Sequence, residues 1–142
     1  IILIYFDLIF RNLLMENLLV HQKVFADDHD WFPKDPVAVQ DQCEKENPLS
    51  DETKDDMLQG VVHNYPDMTA YITCVAKRMK FYTSEKGFDA ERLVYVLNKM
   101  DRLYNRNAVE ECVKKYDEIT PESEMVYLVS KCVKEENVPN EE

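Results

Sequence analysis

The sequence predicts an all-α protein that forms one domain. The chain has 142 residues, a length that favours a single domain, and only two glycines, Gly60 and Gly87. Apolar residues recur at spacings of three and four over several long runs, whereas a hairpin-rich β protein needs more glycine at its turns. A chain of this length buries roughly two-thirds of its unfolded surface, which is enough for one core.

The charge and the motif content argue against nucleic-acid binding and against catalysis. A net charge of −11 repels phosphate backbones. The three histidines, His21, His29 and His63, form no recognisable catalytic grouping, and no glycine-rich phosphate loop occurs. The acidic stretch around His29 begins like a calcium loop, but Pro33 stands where that loop needs glycine. We expect no enzyme activity, no metal and no cofactor; a hydrolase using its many carboxylates is the least supported alternative.

Residues 1–26 are predicted to lie outside the domain. They begin with an apolar run that is broken from Asp7 onward, and no stretch is long enough to span a membrane. Ala26 is a small residue of the kind found before a signal-peptidase site, and the acidic sequence from Asp27 suits a mature start. We interpret residues 1–26 as a damaged, truncated or wrongly assigned leader and 27–142 as the domain. The alternative is a native amphipathic N-terminal helix.

The first two helices are predicted from their capping residues. Asp35 can cap the first helix and Pro36 can open it, and an Asn-Pro pair stops it after Glu46. Ser50 can cap the second helix, whose first turn is acidic. Three apolar residues at the end of that helix are expected to face inward: Leu58, Val61 and Val62.

The third predicted helix, residues 67–82, is the one around which the other helices are expected to pack. Its apolar residues fall at helical spacing and form one stripe: Met68, Tyr71, Ile72, Val75 and Met79. A helix that is apolar on one face is not stable alone and must pack on other elements.

Three further helices follow a turn at residues 83–87. Asp89 can cap the fourth helix, and Thr120-Pro121 can cap and open the sixth. Each of the three carries an apolar stripe. The fourth has Leu93, Val96, Leu97 and Met100, the fifth Val109, Cys112, Val113 and Tyr116, and the sixth Met125, Leu128, Val129 and Cys132.

The four cysteines indicate a secreted disulfide framework. Cys43, Cys74, Cys112 and Cys132 each lie on a different predicted helix, and none forms a C-x-x-C pair or has a histidine at metal-ligand spacing. A zinc site is therefore not expected. Four cysteines allow three pairings, and spacing alone does not choose among them.

The cysteine spacing resembles that of the insect odorant-binding proteins. Successive cysteines are separated by 30, 37 and 19 residues. That family has six cysteines, and its second and fifth, which bond to each other, correspond here to Ala70 and Ser123. Both ends of one disulfide are missing together, as in the four-cysteine, minus-C subclass. The segments DWFPKDP, CEKENPLS and FYTSEKGFDAERL add to the resemblance, which covers about residues 30–133.

The resemblance implies a compact six-helix domain around an apolar cavity, with disulfides Cys43–Cys74 and Cys112–Cys132. It implies a secreted, extracellular carrier of small hydrophobic molecules such as odorants or pheromones. The carrier would work in chemosensory fluid, haemolymph or a reproductive secretion, as a monomer or weak dimer with a chemosensory receptor as a further partner. The alternative is a helical-bundle interaction protein with a filled core and no small-molecule ligand.

Periodicity and the family's architecture together suggest which residues line the cavity. We expect Tyr71 or Tyr116 to offer a hydroxyl that orients the ligand. Methionines suit such a pocket because they adapt to irregular ligands. The expected lining residues are Met68, Ile72, Val75, Met79, Leu93, Leu97, Met100, Val113, Tyr116, Leu128 and Val129.

Overall fold

The computed structural model describes residues 29–100 and 105–136, with the exception of the Met100 side chain. The predicted leader at 1–26 lies outside the described residues. The predicted all-α class is confirmed: the described part contains six helices and one short hairpin. They are α1 (Pro36–Glu46), α2 (Asp51–Leu58), α3 (Pro66–Arg78), β1 (Tyr82–Thr83), β2 (Gly87–Phe88), α4 (Ala90–Met100), α5 (Arg106–Tyr116) and α6 (Glu122–Glu136).

The predicted caps of α1 and α2 are confirmed. The Asp35 Oδ1 atom accepts a hydrogen bond from the Ala38 amide at 3.0 Å, and the Ser50 hydroxyl accepts one from the Thr53 amide at 3.1 Å. The prediction that Leu58 faces inward is wrong, because its side chain is 46% exposed. Helix α2 ends at Leu58, and its buried residues are Thr53 and Met57.

Helix α3 ends four residues earlier than predicted. Lys80 adopts a left-handed conformation with φ of 64°, and its amide donates to the Lys77 carbonyl at 3.1 Å. The Phe81 amide donates to the Ala76 carbonyl, also at 3.1 Å. These two bonds form a Schellman cap, which usually has glycine at the left-handed position. Because a lysine and not a glycine occupies this position, the end of the helix could not be predicted from the sequence.

The chain between α3 and α4 forms a small antiparallel hairpin where only a turn was predicted. Tyr82 pairs with Phe88, and Thr83 pairs with Gly87, which has a φ of 77° that favours glycine. The hairpin directs the Tyr82 side chain into the core, where it is 3% exposed. Asp89 then caps α4 as predicted, because its carboxylate accepts from the Arg92 amide at 3.0 Å.

Helix α6 buries a slightly different face from the one predicted. It begins at Glu122. The carbonyl of the preceding residue, Pro121, accepts hydrogen bonds from the Glu124 and Met125 amides. Leu128 and Cys132 of the predicted stripe are only half-buried. The buried residues are Met125, Val126, Val129 and Val133. This helix has so many apolar residues that two adjacent faces both show apolar residues at intervals of three and four, and the sequence pattern does not distinguish between them.

Both predicted disulfides are present. Cys43 bonds to Cys74, which ties α1 to α3, and Cys112 bonds to Cys132, which ties α5 to α6; the Cα atoms are 5.7 Å apart in each pair. All four cysteines are therefore oxidised.

The helices bury one continuous core, and α3 packs against several of the elements that surround it. Helix α3 contacts α1, α6 and β1, and α5 contacts α4 and α6. The centre of the core includes large side chains that the sequence analysis did not assign to it: Phe32, Met57, Phe81 and Tyr82. No helix in the described ranges is long and apolar enough to cross a membrane.

Candidate functional site

The predicted lining residues of α3 all point into the protein interior. Met68, Val75 and Met79 are fully buried, and Ile72 is 4% exposed. They lie along the helix at the spacing that places them on one side of it. Met79 stands one residue after the helix and keeps the same direction, because the Schellman cap continues the last turn.

The lining residues of the other helices meet those of α3 in a single cluster. Leu93 and Leu97 of α4, Val113 of α5 and Val129 of α6 belong to the same buried group. Tyr116 is half-buried and packs against this group, and Leu128 is half-buried. The Met100 side chain lies outside what the structure describes. Most described members of the predicted lining set thus meet in one buried apolar cluster, whose methionines can adapt their shape.

Three polar side chains are buried in the described part of the chain: Gln40, Thr53 and Thr69. The Thr53 hydroxyl donates to Asp67 Oδ1 at 3.0 Å, and the Thr69 hydroxyl lies 3.2 Å from the Tyr65 carbonyl. Gln40 differs from both, because neither its Oε1 nor its Nε2 atom has a hydrogen-bond partner. The sequence analysis missed Gln40, although its spacing from Pro36 and Cys43 places it on the buried face of α1.

A surface groove of roughly 500 Å³ lies beside α3 and the start of α6. Both Ala70 and Ser123, the positions that correspond to the missing pair of cysteines, line it. Its lining includes the polar side chains of Glu46, Asn64 and Glu122. It shares no residue with the predicted lining set.

Glu122 joins α6 to α3 and to the hairpin at one end of this groove. Its carboxylate accepts hydrogen bonds from the Tyr82 and Ser84 hydroxyls, each at 2.6 Å, and lies 3.5 Å from the Lys77 amine. The hydrogen bonds from Ser84 and Tyr82 lower the pKa of Glu122, and Lys77 adds to this. Desolvation and the Glu122 carboxylate raise the pKa of the Tyr82 hydroxyl. Glu122 is therefore ionised near neutral pH.

A second groove, of roughly 410 Å³, lies on the outside of α4 beside the N-terminal segment. Trp31 forms one wall. Its ring meets the Tyr95 ring edge-on at 5.3 Å, and the Arg92 guanidinium lies 4.8 Å from its centre. Trp31 is half-buried, and the groove around it also shares no residue with the predicted lining set.

Within residues 29–100 and 105–136, no three His, Cys, Asp or Glu side chains are grouped so that they could hold a metal ion. His63 is an exposed side chain that stacks on Tyr65 at 4.9 Å and lies 3.7 Å from Asp56.

Two comparisons with known proteins returned no match, and a third returned one. The model of a protein family described as PBP/GOBP matches residues 26–136. No curated protein and no solved structure matched the chain.

Proposed function

Because the chain belongs to the PBP/GOBP family, we propose that it is a secreted carrier that binds small hydrophobic ligands among the buried side chains of α3 to α6. The family consists of carriers and not of enzymes. Odorants, pheromones and similar apolar molecules are the ligand class that this proposal names.

The observation that carries the proposal is the convergence of the predicted lining residues. Side chains from four helices lie in one buried apolar cluster that contains Met68 and Met79. Burying a ligand there removes its apolar surface from water, and flexible methionines let one site accept different shapes. The proposed lining residues are those predicted from the sequence, including Met100, Tyr116 and Leu128.

Secretion is supported by the oxidised cysteines. Disulfides persist in oxidising compartments and are rare in cytosolic proteins. Each of the two bonds here joins a pair of helices, so the fold uses both as structural ties.

We also propose that the protein belongs to the four-cysteine, minus-C subclass. Support comes from Ala70 and Ser123, which line the same groove between α3 and α6. A disulfide at these positions would bridge that groove. Without it, α3 should move against α6 more freely than in a bridged protein, and we expect this mobility to widen the range of ligands.

A homologous series of ligands tests the carrier function. Straight-chain alcohols of about eight to about sixteen carbons, a range that spans small-molecule pockets, are measured by displacement of a fluorescent apolar probe. Affinity should rise by up to about 0.8 kcal/mol per buried methylene until the site is full. Ordering the ligand chain lowers this gain.

The variant Ile72→Asp should lose ligand binding, because it places a charge in the proposed apolar site. Circular dichroism on the same sample separates lost binding from lost folding. Affinities that are millimolar and independent of chain length in folded wild-type protein would contradict the carrier function. The helical-bundle interaction protein with a filled core would then be the better description.

A further inference from the structure

Gln40 is a fully buried side chain with two unsatisfied polar atoms. It is 0% exposed, and both its amide oxygen and its amide nitrogen lack a partner. Buried polar groups are nearly always hydrogen-bonded, because an unpaired group loses its hydration and gains nothing in return. A group of this kind therefore requires an explanation, and a polar group on a bound molecule provides one.

Gln40 belongs to α1, a helix that packs against α3. It lies one turn before Cys43, on the buried face of α1, and the Cys43–Cys74 disulfide holds that face against α3. Helix α3 carries Met68, Ile72 and Val75 of the proposed ligand site.

The two unsatisfied atoms of Gln40 define the chemistry that they can recognise. Nε2 donates hydrogen bonds and Oε1 accepts them. A hydroxyl group both accepts and donates, so it can satisfy both atoms. A ketone, aldehyde or ester oxygen only accepts, and it would leave Oε1 unpaired.

We propose that Gln40 is the polar anchor of the ligand site and selects apolar ligands that end in a hydroxyl group. This inference rests on the proposed carrier function and adds a residue and a ligand class to it. The anchor replaces Tyr71 or Tyr116, which the sequence suggested for this role.

An ionised fatty acid fits Gln40 less well than an alcohol does. A carboxylate has no donor for Oε1, and its charge would have to be buried. The buried polar residues that the structure describes are Gln40, Thr53 and Thr69, none of which is cationic. A buried charge without a partner is strongly unfavourable. At neutral pH the order of affinity should therefore be alcohol, then ketone, then carboxylate.

The test compares 1-dodecanol with 2-dodecanone in the full-length protein, measured by displacement of a fluorescent apolar probe. The wild type should bind the alcohol about fivefold to tenfold more tightly, as expected for one additional satisfied buried atom. In Gln40→Met, which keeps the length of the side chain, the ratio should fall to about one, as that hydrogen bond is lost. The thermal midpoint of ligand-free Gln40→Met should be equal to or above that of the wild type, because the unpaired amide is gone.

Gln42→Met is the matched control, since Gln42 lies exposed on the same helix. It should keep the wild-type ratio. A second readout is the side-chain NH₂ signal of Gln40 in the NMR spectrum, identified by its loss in Gln40→Met. Addition of 1-dodecanol should shift this signal.

Two results would overturn the inference, and only one of them would also reject the carrier function. Equal binding of alcohol and ketone by the wild type, unchanged in Gln40→Met, would reject Gln40 as the anchor and leave the carrier function intact. Failure of the folded wild type to bind either ligand would reject the carrier function, and the anchor with it.

Discussion

Asp67 is the side chain that joins the start of α2 to the start of α3. Its carboxylate accepts hydrogen bonds from the Ser50 amide at 2.9 Å, from the Thr53 hydroxyl at 3.0 Å and from the Met68 amide at 2.9 Å. Desolvation raises the pKa of Asp67, but the three hydrogen bonds outweigh it and hold the pKa below its usual value. The ionised form is therefore part of the folded structure.

Replacing Asp67 with alanine should destabilise the protein by about 1–3 kcal/mol at pH 7, because the buried residues Thr53 and Met68 lose the acceptor of their hydroxyl and amide groups. The lowered pKa means that this stabilisation is complete above the unfolded value of about 4 and is lost as the pH falls through the folded value. The stabilities of the wild type and Asp67→Ala in urea unfolding should therefore begin to converge as the pH falls below about 4 and meet once the pH is below the folded pKa of Asp67. Asp55→Ala, an exposed change on α2, should cost less than about 0.5 kcal/mol. A difference that is independent of pH would contradict this account.

Trp31 is the only tryptophan and reports on the groove outside α4. Its ring packs against Tyr95 and Arg92 and lines a groove that shares no residue with the proposed lining set. We expect its fluorescence to change weakly when a ligand binds in the core. Intensity and emission maximum during a ligand titration measure this directly, and strong quenching would indicate that the ligand occupies the Trp31 groove.

At the scale of the helices, the contact between α3 and α6 has no disulfide, unlike the α1–α3 and α5–α6 contacts. Noncovalent bonds serve there instead: Glu122 accepts from Tyr82 and lies near Lys77, and the Asn64 amide donates to Glu124 at 2.8 Å. These bonds involve exposed or half-buried groups, so each contributes modestly. The α3–α6 interface is therefore a place where a new disulfide should stabilise the fold.

The double variant Ala70→Cys/Ser123→Cys should form a third disulfide, because both residues line one groove. We expect a gain of up to about 2–4 kcal/mol in the free energy of unfolding, less any strain, together with a narrower ligand range. Thiol titration and denaturant unfolding measure the bond and its effect. The exchange variant Ala70→Ser/Ser123→Ala, which cannot form the bond, should behave like the wild type. Two free thiols in oxidised, folded material would show that the positions are too far apart.

At the scale of the whole molecule, the described helices bury one continuous hydrophobic core. The cluster extends from Phe32 near the start of the described chain to Val133 in α6. A shortened chain that begins at Asp27 should therefore keep the helix content and thermal midpoint of the full chain. Circular dichroism on both chains tests this. A fall of more than about 5 °C, the effect of roughly 1 kcal/mol in a domain of this size, would show that residues 1–26 pack on the domain.

Local chemistry explains which parts of the fold could be predicted from the sequence. The caps at Asp35, Ser50 and Asp89 depend on atoms within three residues of each other, so a short sequence window contains all the information. The apolar stripe of α3 is equally local. The disulfide pairing came from the resemblance to a family, because the four cysteines alone allow three arrangements.

The tertiary structure decided the features that depend on which helices meet. It exposed Leu58, ended α3 shortly before a left-handed Lys80 and selected the face of α6 that contains Val126. It also brought Ala70 and Ser123 to one groove and enclosed Gln40 without a partner. Periodicity shows that a helix has an apolar side, but burial and hydrogen bonding of a given atom depend on neighbours distant in the chain. For that reason the sequence by itself determined the helices and their general packing faces, and only the packed molecule identified the residue that we propose as the ligand's polar anchor.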